Sequence, residues 1–191
     1  MNQEELLAIF TENRALIKGH FQLSSGLHSD TYLQCALVLQ HPKLARKLTS
    51  NLALGFQKMK IDTVVSPAVG GIVIGQEMAR FLGTRAIFTE RDKNGHMTLR
   101  RGFSIKKGEK CLVIEDVITT GNSTNEVMNV VKASGAEVVG VGTLVDRSPK
   151  DIDFKVPKAE LLKLDIATHQ PGECPMCQNN IPILSPGSKH K

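Results

Sequence analysis

The chain has 191 residues, 41% of them hydrophobic and 23% charged, with a net charge of +5. This length suffices for one domain with a proper core, and its apolar runs are too short to span a bilayer. The start of the chain is acidic and unlike a signal peptide, so we expect a cytoplasmic protein without a membrane partner. The positive charge suits nucleic acid or a small polyanionic substrate, but a chain with no Trp and one Tyr offers little for single-strand binding.

The first forty residues predict a helix followed by short extended segments. Asn2 and Glu5 form a capping pair, and apolar residues at helical spacing continue the predicted helix to Ile17, with Gly19 ending it. Residues 20–39 predict extended pieces broken at Ser-Ser-Gly. A second helix is predicted from Pro42, because proline fits the first turn of a helix.

From residue 61 onwards the pattern alternates between apolar strands and amphipathic helices. The predicted strands are IDTVVSP, TRAIFTE, KCLVIED and EVVGVGTLVDR, and the predicted helices are GGIVIGQEMARFLG and NSTNEVMNVVKASG. This alternation indicates an α/β fold with parallel strands covered by helices, in which ligands bind at the carboxyl ends of strands. In the tail, the segment AELLKL predicts a covering strand followed by irregular chain.

Two adjacent carboxylates, Glu115 and Asp116, end one of these strands, and a turn rich in hydroxyls follows them. The turn Thr119-Thr120-Gly121 and the helix start at Asn122 have the features of an anion site. The acids would repel a bare phosphate. A phosphoribosyl group suits both the acids and the turn, because its ribose hydroxyls can bind the acids while its 5′-phosphate lies in the turn. The alternative is a capped helix preceded by two solvated acids. Neither a Walker-type motif nor a dinucleotide-binding glycine motif occurs.

Two further features belong to the same predicted edge of the sheet. Gly70 and Gly71 lie between a strand and a helix, which favours either a second phosphate site or a tight turn without a ligand. Arg147 follows the last strand and can offer its guanidinium fork to a planar anion. Its alternative role is a surface ion pair with Asp146 or Asp151.

The basic segment ERDKNGHMTLRRG predicts a hairpin that closes over the site. Asn94-Gly95 is a two-residue turn signal that places Lys93 opposite His96 and Arg91 near Thr98. The segment lacks the apolar alternation needed to bury a face, so we expect a mobile ribbon that closes over a pyrophosphate. An exposed charged hairpin without a role is the alternative.

The tail contains a C-x-x-C motif, Cys174 and Cys177, with His169 five residues before the first cysteine. A structural zinc site needs four ligands, so a full site would require His169, another histidine or a second subunit. The alternative is a proline-turned surface loop with free thiols.

VIEDVITTGNST resembles the signature of the type I phosphoribosyltransferases, which bind phosphoribosyl pyrophosphate (PRPP). FQLSSGLHSDTYL, SPAVGGIVIG and TLVDR are similar to the amino-terminal segment, the pyrophosphate loop and the last sheet strand of orotate phosphoribosyltransferases. The resemblance implies the type I fold, a central, mostly parallel sheet flanked by helices, with a small N-terminal hood and a flexible β-hairpin lid. It implies a single domain over residues 1–191: a hood at roughly 1–40, a core at roughly 41–150 and an irregular tail at 151–191.

The implied activity is transfer of the phosphoribosyl group of PRPP to orotate, which yields orotidine 5′-monophosphate and pyrophosphate for UMP synthesis. Mg²⁺ is the implied cofactor, bound mainly through PRPP and water, with no direct protein ligand. The implied assembly is a homodimer whose lid reaches the neighbouring active site. Two alternatives stay open, a purine phosphoribosyltransferase and a PRPP-sensing regulator that binds nucleic acid on the same fold; we expect no nucleic-acid partner.

The resemblance also implies the roles of particular residues. The implied PRPP-binding residues are Val69, Gly70, Arg91, Lys93, His96, Glu115, Asp116, Val117, Ile118, Thr119, Thr120, Gly121, Asn122 and Ser123. Orotate is expected at Thr119 and Arg147, with the backbone near Tyr32 and Leu33 beside its ring. The implied catalytic residues are Lys93, His96 and Asp116: one of the first two stabilises or protonates the leaving group, and Asp116 holds the ribose.

The lid departs from the family pattern. Asp92 follows Arg91 where many relatives have lysine, and two residues rather than one separate Lys93 from His96. Ser24 stands where some relatives carry a lysine that binds PRPP. The lid residue that acts as the main cation therefore stays open between Lys93 and His96.

Overall fold

The computed structural model of the chain describes residues 1–23 and 25–184. The chain forms two compact units, one of Met1 with Leu39–Leu164 and one of Asn2–Val38 with Asp165–Lys191. The helices are α1 (Gln3–Glu12), α2 (Ala36–Leu39), α3 (Pro42–Ala53), α4 (Gly71–Leu82), α5 (Asn122–Ala133) and α6 (Pro175–Gln178). The strands are β1 (Leu16–Gln22), β2 (His28–Leu33), β3 (Thr63–Pro67), β4 (Arg85–Arg91), β5 (Met97–Leu99), β6 (Lys110–Ile118), β7 (Glu137–Asp146), β8 (Lys158–Lys163) and β9 (Thr168–His169).

The larger unit is built on a six-stranded sheet with the strand order β5-β4-β3-β6-β7-β8. Its pairings are parallel except that of β5 with β4, which is antiparallel. The central strands are buried on both faces, because α5 packs against one face and α3 and α4 pack against the other. The mostly parallel sheet flanked by helices that the sequence predicts is therefore confirmed.

The face of the sheet under α5 holds a continuous apolar core. Val65, Cys111 and Val113 of the central strands meet Val127 and Val131 of α5, and all five are buried. Neighbouring residues of the same strands point to the opposite face, as the alternation of a strand requires. This packing fixes the position at which β6 ends and α5 begins.

The smaller unit contains α1 and an antiparallel sheet of β1, β2 and β9. The predicted capping pair is confirmed, since Asn2 and Glu5 form a reciprocal capping box. The predicted extent of the helix is wrong, because α1 ends at Glu12. The Asn13 side chain donates to the Ile9 carbonyl at 2.8 Å and Arg14 takes a positive φ of 55°, so the chain turns before β1 begins.

The tail contains more regular structure than the sequence predicts. The covering strand is confirmed as β8, which lies parallel to β7 at the edge of the larger sheet. Beyond it, β9 pairs with β2 through His28–His169 and Ser29–Thr168, and a 3-10 turn, Pro171–Glu173, leads into α6. In the described parts of the chain, the helices are all too short or too polar to cross a membrane.

Candidate active site

Three neighbouring parallel strands, β3, β6 and β7, end at one edge of the larger sheet, and a loop follows each. Strand β6 continues past the two acids to Ile118, two residues further than the sequence predicts. Its pairing with β7 holds it there, since Glu115 lies opposite Thr143 and Ile118 lies opposite Asp146. The acids are therefore part of a paired strand, which fixes their backbone.

Glu115 is only 7% exposed, and Asp116 beside it is half-buried. Burial, and then the negative charge of Asp116, raise the pKa of Glu115 to about 9. Burial also raises the pKa of Asp116, and a hydrogen bond joins the two carboxyl groups. Glu115 keeps its proton at neutral pH, so its carboxyl group can both donate to and accept from the hydroxyl groups of a ligand.

The turn after β6 and the start of α5 line one small pocket. Its lining residues are Glu115, Val117, Ile118, Thr119, Thr120, Gly121, Asn122, Ser123 and Thr124. Apart from Thr124, these were all predicted to bind PRPP. The sequence missed Thr124 because it is the third residue of α5, where a buried side chain is expected from packing alone.

A glycine begins the helix at this pocket. Gly121 is the N-cap of α5 and has a positive φ of 75°, and a β-carbon there would lie 3.0 Å from Ile152. Glycine has no side chain with which to cap the helix, and the Asn122 N–H reaches the Thr120 hydroxyl only at 3.5 Å, so the start of α5 has the N–H groups of an anion site. Because Glu115 is buried and the cap is a glycine, a capped helix preceded by solvated acids does not describe this chain.

The glycine loop after β3 lies against the acids. A β-carbon on Gly70 would come within 2.7 Å of both carboxylate oxygens of Asp116, and one on Gly71 would meet the Ile114 carbonyl at 3.2 Å. Val69 is 81% exposed beside them, and the Ala68–Val69 peptide bond is cis. The predicted pyrophosphate loop and the predicted ribose site therefore form one continuous surface.

The lid is a hairpin of β4 and β5, but its predicted turn is wrong. Asp92 pairs with His96, and Arg91 lies opposite Met97, so three residues rather than two form the loop. The Asp92 carboxylate accepts the N–H groups of Asn94 (2.8 Å) and His96 (2.9 Å). These bonds, with Gly95 at a φ of 84°, favour the three-residue loop over the two-residue turn.

The base of the lid is anchored, which the sequence did not predict. Met97 and Leu99 are half-buried against the apolar core under α5, so this arm does bury a face. Arg91 donates to Glu126 of α5 at 2.5 Å and to the Gly95 carbonyl at 2.6 Å. The tip, residues 93–96, is exposed, in contrast with the half-buried arm Met97–Leu99.

Lys93 and His96, the two candidate cations, both lie in this exposed tip. His96 Nδ1 is 3.8 Å from the Asp92 carboxylate, and the two side chains form an ion pair when the histidine is protonated. At the foot of the hairpin, Arg101 forms a two-pronged pair with Glu90, at 2.7 and 2.8 Å. The structure thus separates a fixed arginine at the foot from the two candidates at the tip.

Arg147 lies directly beside the pocket at the start of α5. Its backbone N–H donates to the Ile118 carbonyl at 2.7 Å, and its side chain is half-buried. The carboxylate of Asp146 accepts hydrogen bonds from Ser148 and from two lysines, Lys158 and Lys163. Burial alone would raise the pKa of Asp146, but these bonds lower it to about 2. Asp146 therefore fixes the loop that carries Arg147.

Some predicted contacts cannot be placed beside this pocket. Tyr32 and Leu33 are residues of β2 in the smaller unit. Ser24 lies outside the described residues. One contact that the sequence missed is the Thr143 hydroxyl, which donates to the Asp116 carbonyl at 3.2 Å. A threonine inside an apolar strand carries no sequence signal for that role.

The fold and the pocket together define a class of protein. The family model described as "Phosphoribosyl transferase domain" matches residues 36–171, which include the two acids, the pocket at the start of α5, the glycine loop and the lid. The crystal structure of orotate phosphoribosyltransferase from Aeropyrum pernix has the same fold, with a TM-score of 0.71 at 24% identity. That likeness covers 83% of this chain and 93% of the other.

Curated relatives are similar over almost the whole chain. Orotate phosphoribosyltransferase from Desulforamulus reducens is 51% identical over 189 residues, 99% of this chain and 98% of the relative. The protein of the same name from Caldanaerobacter subterraneus subsp. tengcongensis is also 51% identical, over 99% of both chains. The chain therefore belongs to the phosphoribosyltransferase family and, within it, to the orotate phosphoribosyltransferases.

Proposed function

We propose that the chain transfers the phosphoribosyl group of PRPP to orotate, forming orotidine 5′-monophosphate and pyrophosphate. The observation that carries the proposal is the junction of β6 and α5, where a buried acid pair adjoins a pocket at a glycine-capped helix. Relatives that are named orotate phosphoribosyltransferase and are 51% identical to this chain favour orotate over a purine as the accepting base.

The 5′-phosphate of PRPP occupies the pocket, where the N–H groups of α5 and the hydroxyls of Thr119 and Thr120 donate to it. The ribose hydroxyls meet Glu115 and Asp116, and the Glu115 carboxyl group, which keeps its proton at neutral pH, can both donate hydrogen bonds to these hydroxyls and accept them. The pyrophosphate arm extends along Val69 and Gly70, which adjoin Asp116. One ligand thus spans the whole edge of the sheet.

In the reaction, a ring nitrogen of orotate attacks the anomeric carbon as the bond from that carbon to pyrophosphate breaks. The electron pair leaves with the pyrophosphate, and positive charge develops on the ribose. Asp116 lies beside that charge, and Lys93 or His96 at the lid tip stabilises the departing oxygen. Arg147 and Thr119 hold the orotate carboxylate and ring edge.

Mg²⁺ fits this site as an ion that the substrate binds, rather than as an ion enclosed by protein ligands. The two carboxyl groups are hydrogen-bonded to each other and Glu115 keeps its proton, so they do not form a preorganised set of cation ligands. When bound, the ion neutralises charge on the pyrophosphate. Glu115 and Asp116 would hold it through the ribose hydroxyls and water.

The direct test is orotate-dependent release of pyrophosphate from PRPP by the purified chain in the presence of Mg²⁺. Parallel reactions with adenine, with hypoxanthine and without a base serve as controls. Release with orotate alone supports the proposal. Release with a purine but not with orotate would assign the chain to a purine-specific reaction instead.

We further propose that the active enzyme is a homodimer in which the lid tip acts on the partner's pocket. Asp116→Asn and Lys93→Ala each remove one half of such a composite site. Mixing the two inactive variants should restore one working site in each heterodimer, giving at most about a quarter of the wild-type rate after random exchange. No recovery on mixing would show that each lid serves its own pocket.

A further inference from the structure

Two histidines and two cysteines converge in the smaller unit, away from any residue that the proposed transfer uses. The nitrogen and sulfur atoms that His20, His28, Cys174 and Cys177 can offer to a metal all lie within 4.8 Å of one another. The first three residues are buried, and Cys177 is half-buried. His169, which the sequence suggested as the nearest candidate, is not a member of this group.

The four residues come from two distant segments of the chain. His20 lies on β1 and His28 on β2. Cys174 is the N-cap of α6, and Cys177 lies within α6. Strand β1 carries an extra residue between Lys18 and Phe21, and such a bulge re-aims the side chains beside it, here that of His20. The tail arrives at the hairpin through β9, which pairs with β2.

The four atoms lie within 4.8 Å of one another, close enough for one ion to contact them all. Zinc bonds of about 2.0 to 2.3 Å to nitrogen and sulfur separate tetrahedral ligands by roughly 3.3 to 3.8 Å. His20 Nε2 lies 3.0 Å from His28 Nδ1, 3.5 Å from Cys174 Sγ and 3.7 Å from Cys177 Sγ. Cys177 Sγ lies 3.3 Å from His28 Nδ1.

The orientation of His20 is also that of a metal ligand. Its other nitrogen, Nδ1, lies 2.7 Å from the Ile181 carbonyl and donates to it in the tautomer that leaves Nε2 without a proton. Metal-bound histidines are usually fixed by such a bond from the second nitrogen. The lone pair of Nε2 therefore faces the other three ligand atoms.

Hydrogen bonding alone accounts poorly for this arrangement. The single lone pair of His20 Nε2 can accept one good hydrogen bond, yet three polar atoms surround it at 3.0 to 3.7 Å. Cys174 and Cys177 are free thiols and are not joined as a disulfide. A single cation at the centre would satisfy all four groups at once.

We propose that His20, His28, Cys174 and Cys177 bind one structural zinc ion. Two sulfur and two nitrogen ligands in a tetrahedron are typical of zinc, and four protein ligands leave no open position for catalysis. The ion would tie the tail to the β1–β2 hairpin in a unit whose small size limits its apolar core. This inference is independent of the proposed transfer reaction.

The test uses the full chain, purified without an affinity tag and without chelators. Elemental analysis by mass spectrometry should find about one zinc ion per chain. Cys177→Ser should lose that zinc, whereas the matched control His169→Gln should keep it, since His169 lies next to the cluster without belonging to it. A chelator should lower the thermal midpoint of the wild type and of His169→Gln, and added zinc should restore it.

A second measurement keeps the test valid if Cys177→Ser does not fold. Wild-type chain stripped of zinc and titrated with Co²⁺ should show the absorption of tetrahedral cobalt with thiolate ligands. Zinc-free wild type that takes up neither metal would overturn the proposal. Zinc retained by a folded Cys177→Ser, or iron found in place of zinc, would overturn it equally.

Discussion

Gly70 lies so close to Asp116 that no side chain fits between them: a β-carbon at Gly70 would stand 2.7 Å from each carboxylate oxygen. The backbone of Gly70 is in the ordinary right-handed helical region, with φ −58° and ψ −40°. The glycine is therefore required by its neighbour and not by its own conformation. This contact couples the loop after β3 to the acid at the end of β6.

Gly70→Ala should weaken PRPP binding without unfolding the chain. The new methyl group must displace the Asp116 carboxylate, so we expect the KM for PRPP to rise between about 10-fold and 100-fold. Steady-state kinetics together with thermal unfolding would measure both effects. Gly172→Ala is a suitable control, because a β-carbon there has no neighbour within 4 Å. An unchanged KM in Gly70→Ala would show that Asp116 does not hold the ribose.

Glu115→Gln should stabilise the chain at high pH while it impairs the reaction. An acid with a pKa of about 9 when folded and 4.5 when unfolded takes up a proton on folding between these values. The free energy of unfolding of the wild type therefore falls as pH rises through that range, and glutamine removes the fall. From pH 5 to pH 8, the variant should gain about 1 to 3 kcal/mol relative to the wild type.

Urea denaturation at the two pH values would measure this gain. Glu137→Gln is the control, because Glu137 is exposed at the opposite end of a neighbouring strand. If the free energy of unfolding differed by the same amount between Glu115→Gln and wild type at both pH values, this would contradict a protonated Glu115.

Glu126→Gln should release Arg91 from the start of the helix. Arg91 is held by Glu126 on α5, with contacts of 2.5 and 3.2 Å, and must leave that pair if it is to bind PRPP. Exposed pairs of this kind contribute less than about 1 kcal/mol, so the KM for PRPP should fall by about two- to fivefold. Kinetics at low and high salt would show the effect shrinking as salt screens the pair.

A matched control for this variant is Glu77→Gln, which removes the similar exposed pair with Arg80 on α4. A higher KM for PRPP in Glu126→Gln would mean that Glu126 positions Arg91 to bind PRPP, rather than competing with PRPP for Arg91.

Asp146→Asn should destabilise the chain more than any exposed acid does. Asp146 is fully buried and faces Lys158 and Lys163 at 3.0 Å each, so its loss leaves two ammonium groups without their shared partner. We expect a loss of about 2 to 4 kcal/mol. Asp153→Asn, at an exposed pair with Lys155, should cost much less.

Chemical denaturation near neutral pH would measure both losses. The contribution of Asp146 is fully present above its unfolded pKa of 3.8 and is lost as pH falls through about 2. Acid unfolding of the wild type should therefore show a component in that range that Asp146→Asn lacks. Equal losses in the two variants would contradict the buried network.

The sequence predicted the larger sheet because each of its central strands is an apolar run bounded by turn residues. The prediction was wrong where hydrogen bonds of a single side chain end a helix or set the length of a loop. Ile17 fits helical spacing, yet the bond from Asn13 to Ile9 ends α1 early. Asn94-Gly95 is a strong two-residue turn signal, yet the Asp92 carboxylate favours a three-residue loop. Such hydrogen bonds are not visible as periodicity.

The candidate site shows the same division. The acids, the hydroxyl-rich turn and the glycines are contiguous motifs, so they were found in the sequence. The cluster around His20 was not, because His20 and Cys174 are 154 positions apart and the folding of the tail onto β1 and β2 brings them together. Spacing along the chain pointed instead to His169.

The smaller unit is discontinuous in the chain, since residues 2–38 and the segment after residue 164 belong to it together. As the chain is synthesised, β1 and β2 emerge early but cannot gain their third strand until β9 has been made. The larger unit, whose residues lie between, is complete in the meantime and can fold first. The order of synthesis therefore places the closing of the three-stranded sheet last, so conditions late in translation should affect the smaller unit most.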